Sequence, residues 1–123
     1  MLKYFDARAA ARQLAAVGEQ TRLMILYTLA DGPRNVSELA DRMNVSVVNM
    51  SHHLTILRKH RLVEDVKDGR FVVYQFHPDT FTPSTGTDDL IGTLSLGICR
   101  MDLRRSLAPP PGDGPKNGKK RRP

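Results

Sequence analysis

Cys99 is the only cysteine among the 123 residues. A lone thiol rules out an internal disulfide and fits a protein kept in a reducing cytosol. No apolar run approaches the roughly 20 residues that a membrane-crossing helix needs, and Asp6 and Arg8 come too early for a secretory signal. The expectation is a soluble, cytoplasmic protein with no membrane partner. The arrangements that carry covalent chemistry are missing too: there is no Ser/His/Asp set, no glycine-rich phosphate cradle and no carboxylate pair in an expected cleft. An enzyme is therefore not expected. No internal repeat is visible.

What the chain does have is positive charge. Its formal charge is +6 and its pI about 9.9, which favours a polyanionic partner. Much of the excess is local, since from Pro109 onward Lys116, Lys119, Lys120, Arg121 and Arg122 face only Asp113. Residues 108–123 are rich in proline and glycine with almost no apolar side chains, and are expected to form a disordered basic tail that can still attract phosphates. Residues 1–107 remain as one domain, of a size that folds alone but gains from dimerisation.

The most informative stretch is 36–70. Val36, Leu39, Ala40 and Met43 fall at helical spacing, and Asn44 tolerates the left-handed geometry that ends a helix. Asn35-x-x-Glu38 resembles a capping box that opens this helix. Ser46 can cap a second helix running to about His60. On a helical wheel Val47, Met50, Leu54 and Leu57 share the side expected to be buried, and Val48, His52, Thr55 and Lys59 lie opposite, flanked by Asn49 and Ser51. Amides, hydroxyls, an imidazole and one small apolar group on an exposed helix suit the edges of base pairs in a major groove. Strand-like residues from Leu62 to Phe76 then surround Asp68-Gly69, a strong hairpin signal. With those two residues as the turn, Lys67 would pair with Arg70 across the tip. Val63, Val72, Tyr74 and Phe76 would share a face and close the core.

Earlier in the chain, Asp6 can cap a helix from Ala7 to about Val17 with a stripe of Ala7, Ala10, Ala11, Leu14 and Val17. So small-sided a stripe allows close helix approach, either to a partner or to its own domain; both readings stay open. Glu19–Ala30 is the next helix, with Leu23, Leu26, Tyr27 and Ala30 inward, Arg22 outward, and Asp31-Gly32-Pro33 as a stop. Beyond the hairpin, residues 79–87 read as a connection. Residues 90–103 fit either a helix or a strand with one phase slip. Gly92 and Gly97 each cost a helix interior on the order of 1 kcal/mol, which tips the balance to a strand.

These segments, in order, resemble the ArsR/SmtB family of bacterial repressors. The resemblance is carried by Gln20-Thr21-Arg22-Leu23-Met24-Ile25-Leu26, Ser37-Glu38-Leu39-Ala40, Val45-Ser46, Ser51-His52-His53-Leu54-Thr55-Ile56-Leu57, Leu62-Val63 and Asp68-Gly69-Arg70-Phe71-Val72-Val73-Tyr74. It covers roughly residues 14–76 and implies a mainly α fold with a small β-hairpin, the winged helix-turn-helix. It further implies a regulator that binds double-stranded DNA, most simply a homodimeric repressor on an inverted-repeat operator. In the family the first helix belongs to the dimer interface, and a terminal helix usually pairs across it; residues 77–123 do not follow that pattern.

The expected DNA-contacting residues are Ser46, Val48, Asn49, Ser51, His52, Thr55, Lys59, Lys67 and Arg70. Asn49 suits adenine and Val48 a thymine methyl. Lys59, Lys67 and Arg70 suit phosphate, with Arg70 beside the protruding glycine also able to enter a minor groove. His53 matches the histidine of the family's S-x-H-L pattern, at the edge of the buried face, where a hydrogen-bonded packing role is expected. Metal-responsive members carry a cysteine pair at the start of the first motif helix, or Asp/His and His/Glu pairs on the last. Here residues 33–37 hold neither thiol nor imidazole, and residues 88–107 hold Asp88, Asp89, Cys99 and Asp102 but no histidine. No metal or other cofactor is expected, and Cys99 reads as a small buried apolar residue. The competing function is a winged-helix module for protein contacts without specific DNA binding.

Overall fold

The computed structural model describes residues 6–86 and 89–106, so the expected tail at 108–123 lies outside the described residues. Helix α1 spans Ala7–Val17 and α2 Gln20–Leu29; a short strand β1, Arg34–Asn35, leads into α3, Val36–Met43, and α4, Val47–Lys59. Six-residue strands β2, Val63–Asp68, and β3, Phe71–Phe76, form the wing. They are followed by β4, Phe81–Pro83, β5, Leu90–Ser95, and β6, Arg100–Arg104. Two antiparallel three-stranded sheets result, ordered β1-β3-β2 and β4-β5-β6.

Local chemistry sets the helix boundaries. The Asp6 carboxylate accepts the Arg8 and Ala9 amides and opens α1. Asn35 and Glu38 form the expected reciprocal capping box, with both bonds at 2.8 Å. Asn44 ends α3 at φ 56°, and Ser46 Oγ accepts the Asn49 amide to open α4. The core draws on every layer: Ile25, Leu26 and Leu29 from α2, Leu39 from α3, Met50, Leu54 and Leu57 from α4, and Leu94, Leu96 and Leu103 from the second sheet belong to one buried cluster.

Several expectations change. Val47 does not join the buried face of α4 but is 48% exposed, because the helix begins there and its first turn projects beyond the core. In α2 the buried side is Ile25, Leu26, Thr28 and Leu29; Leu23 is at the surface and Tyr27 only partly buried. The wing turn is Gly69-Arg70 rather than Asp68-Gly69, with Asp68 paired to Phe71 and Lys67 to Val72. Gly69 takes φ 65° while Arg70 keeps a negative φ. That pattern places glycine first in a type II′ turn, whereas Asp-Gly as the central pair would have needed positive φ at both residues. Val63, Val72, Tyr74 and Phe76 still share one face, though Val72 lies far enough along the wing to be exposed.

Residues 90–103 are not one strand. The phase slip is a hairpin turn over Leu96–Cys99, closed by the Leu96 amide on the Cys99 carbonyl at 2.8 Å, with Gly97 at φ 86°. Cys99 is exposed on that turn rather than buried. The supposed connection at 79–87 contains β4, where the Phe81 ring stacks on Phe76 at 3.8 Å and 9° and joins the two sheets. The Tyr27 hydroxyl accepts the Arg104 amide and ties β6 back to α2. Among the described residues no helix is long and apolar enough to cross a membrane.

Candidate nucleic-acid interface

The face of α4 turned away from the core gathers a set of exposed polar side chains. Met50, Leu54 and Leu57 are fully buried and fix the helix rotation. That rotation leaves Ser46, Val48, Asn49, Ser51 and His52 exposed together at the amino-terminal half, with Thr55 exposed one turn further on. Val48 is 78% exposed, an apolar group that none of the described residues covers. Val47 beside it widens the apolar contact, an addition that wheel geometry alone assigned to the core. The Ser46 hydroxyl oxygen is committed to the Asn49 amide, but its proton remains free to donate. Thr55 is the reverse, since its hydroxyl donates to the Ser51 carbonyl at 2.9 Å and retains only acceptor capacity.

Lys59 stands apart. It ends the helix, about 20 Å from Ser46 at 1.5 Å per residue, and lines a cleft with α1 residues Asp6, Ala9, Ala10 and Gln13. The wing supplies Lys67 and Arg70 from different positions, a strand and the turn. Both are exposed, and neither forms an ion pair among the described residues. The register also exposes Phe71, at 57%, and Val66 on the opposite side of the wing from Lys67. Phe71 lies on the face opposite Val72 in either register, and its exposure comes from its place beside the turn, away from the core.

A polar staple behind the helix holds its orientation. His53, on the flank of α4, lies with its Nδ1 3.1 Å from an Arg22 guanidinium nitrogen and 3.7 Å from the Glu19 carboxylate, in the hydrogen-bonded packing role expected for it. Arg22 turns inward, against expectation, because it finds acceptors there: Nε donates to the Ala16 carbonyl at 2.7 Å and a second nitrogen to Ala15 at 3.3 Å. Those carbonyls belong to the last turn of α1, where helical partners run out. Burial pulls the Glu19 carboxyl upward, but the Arg22 and Thr21 amides and the charges of His53 and Arg22 outweigh it and hold the group below the usual glutamate range. The arginine's position three residues after the capping Glu19 was the available signal.

Comparison with known proteins agrees with this geometry. The model of the arsR family of bacterial regulatory proteins matches residues 19–65, from the α2 cap into the wing. The nodulation protein NolR of Rhizobium meliloti is 32% identical over 107 residues, covering 86% of this chain and 88% of NolR. The transcriptional repressor SdpR of Bacillus subtilis is 32% identical over 62 residues, covering 50% of this chain and 69% of SdpR. Several other curated relatives, among them NmtR and KmtR of Mycobacterium tuberculosis, are matched over less than two thirds of their length, down to 45%. Among solved structures, the homodimeric winged helix-turn-helix DNA-binding domain Mb0332 of Mycobacterium bovis superposes with a TM-score of 0.55 at 29% identity, covering 58% of this chain and 67% of that one. With the capped helix pair, the glycine-turned wing and a relative matched almost end to end, this chain belongs to the arsR family of bacterial regulatory proteins.

Proposed function

We propose that the protein is a sequence-specific, double-stranded-DNA-binding transcriptional regulator that acts as a homodimeric repressor on an inverted-repeat operator. One observation carries the reading: α4 presents Val48, Asn49, Ser51 and His52 outward from its amino-terminal half while its other side is locked into the core. A major groove accepts such a helix, and its base edges offer partners for an amide and an apolar contact for a valine. One helix spans only a few base pairs, so useful specificity calls for two copies meeting successive grooves across a twofold axis.

Helix α1 is the element suited to that pairing, because Ala7, Ala11 and Leu14 of its stripe are exposed and Val17 alone is fully buried. The resembling family usually ends in a helix that pairs across the dimer; this chain has β5 and β6 at that point of its sequence, which leaves the dimer contact to α1 or to the second sheet itself. The homodimeric Mb0332 domain supports the assembly state. Residues 1–107 serve as the DNA-binding and dimerisation domain, with Lys67 and Arg70 neutralising phosphates beside the groove.

The division of labour is testable in two substitutions. Arg70→Ala is expected to weaken binding to every duplex and to reduce the slope of log affinity against log salt by about one, the share of a single phosphate contact. Asn49→Ala is expected to leave that slope in place and to change base preference at one position in each half-site, a discrimination of about 1–3 kcal/mol. Anisotropy titrations on the upstream DNA and on random duplex, at several salt concentrations, measure both. Equal losses on all sequences for both variants would defeat the assignment.

A further inference from the structure

On the side of the molecule where α1 meets the carboxyl end of α4 lies a cleft of about 540 Å³, within the range of small-molecule sites. Ala9 and Gln13 form one wall, Lys59 and His60 the second, and Leu96 and Ile98 of the β5–β6 turn the third. The turn side is apolar, with Leu96 buried and Ile98 46% exposed. Gln13 donates to the His60 carbonyl at 3.4 Å and so bridges α1 to the end of α4.

The charges around the cleft do not balance. Arg61, also on its rim, is taken by Asp79 at 2.6 Å, and the Asp6 carboxylate is spent on the amides of its own helix. Lys59 and the nearby Arg12 have no ion-pair partner among the described residues. The His60 ring registers the surplus: burial, then the charges of Lys59, Arg12 and Arg22, hold its pKa below the ordinary histidine range. The neutral imidazole is favoured, and it can hydrogen-bond a ligand.

We propose that this cleft binds a small organic anion with an apolar body, its acidic group on Lys59 and His60 and its body against Leu96 and Ile98, and that occupancy changes DNA affinity. The coupling rests on the regulator reading above; the binding itself does not. A ligand seated there touches the end of α4 and the flank of α1, whose exposed stripe of Ala7, Ala11 and Leu14 lies on the adjacent face of the same helix. It thus bears at once on the reading helix and on the helix assigned to dimer contact.

The probe is 1-anilinonaphthalene-8-sulfonate, titrated by fluorescence and calorimetry into the full chain. Saturable binding of one probe per chain is expected, weakened at least tenfold by Ile98→Glu and by Lys59→Gln. Ile98 is a surface residue of the turn, so its replacement is expected to leave the melting temperature unchanged. Unsaturable binding, or parental affinity in either variant, would overturn the site. Saturating probe is further expected to shift the dissociation constant for operator DNA at least threefold in the wild type and not in Ile98→Glu. No shift would overturn the coupling, whereas absence of any specific DNA binding without probe would sink the regulator reading and leave the probe titration to decide the cleft.

Discussion

Gly92→Ala is expected to destabilise the fold by about 3 kcal/mol, at the upper end of what overpacking costs. A Cβ at residue 92 would stand 2.3 Å from Phe81 Cζ and 2.7 Å from the Thr82 carbonyl oxygen. Neither neighbour can yield cheaply. The Phe81 ring is stacked on Phe76, and Thr82 pairs through its backbone with Thr93 in the same sheet. Strand β4 would have to lift from β5, breaking the pairings of Phe81 with Leu94 and of Pro83 with Gly92. At about 4–8 °C per kcal/mol for a domain of this size, the melting temperature should fall by about 12–24 °C in a circular-dichroism melt. Gly69→Ala is the natural contrast: its Cβ meets nothing within 4 Å but its φ is +65°, so it should cost about 1 kcal/mol. If Gly92→Ala melts within a degree or two of the parent, the contact between β4 and β5 is not as described.

The second large effect is expected from Arg22→Ala. The side chain is only 13% exposed and carries three hydrogen bonds, to Ala15, Ala16 and His53. Its loss leaves two carbonyls of the last turn of α1 and one imidazole nitrogen without a partner. Charge-assisted bonds contribute about 1.5–3 kcal/mol each before compensation by water, so a net loss of about 2–3 kcal/mol is expected. Arg22→Lys should recover less than half of it, since an ammonium cannot span acceptors on two helices as a planar fork does. Because His53 sits on the flank of the proposed reading helix, DNA affinity should fall further than the change in folded fraction accounts for. Chemical denaturation together with DNA titration separates the two, and a variant with parental stability and affinity would contradict the role assigned to Arg22.

How much of this was legible in the sequence varied with the physics involved. Caps were plain, because Asp6, Asn35 with Glu38, Asn44 and Ser46 act within a few residues of themselves. The outward set on α4 was plain as well, since Met50, Leu54 and Leu57 recur at helical spacing. Long-range matters were not. Glu19, three residues before Arg22, signals one partner, but not that the carbonyls of α1 will arrive to accept from it. The strong hairpin signal at Asp68-Gly69 placed the turn one residue early, which changed the cross-strand partners, Lys67 meeting Val72 rather than Arg70, and left the faces as expected. Residues 90–103 gave alternating apolar positions with a slip, and a slip and a tight turn look alike until pairing partners are known. The short β4 was invisible because three residues around a proline carry no periodicity. The contacts proposed for Ser46, Val48, Asn49, Ser51, His52 and Thr55 gain from their shared exposure, while Lys59 lies with the cleft rather than with them.

The burial of Leu94, Leu96 and Leu103 among the same side chains that seat Leu54 and Leu57 has a practical corollary for anyone dissecting the protein. A minimal reading fragment cannot be obtained by stopping at the end of the wing, because the cut would strip one wall from the interior and leave Phe76 and Tyr27 facing water. Swapping specificities between relatives is better done by transplanting the outward residues of α4 into the intact chain.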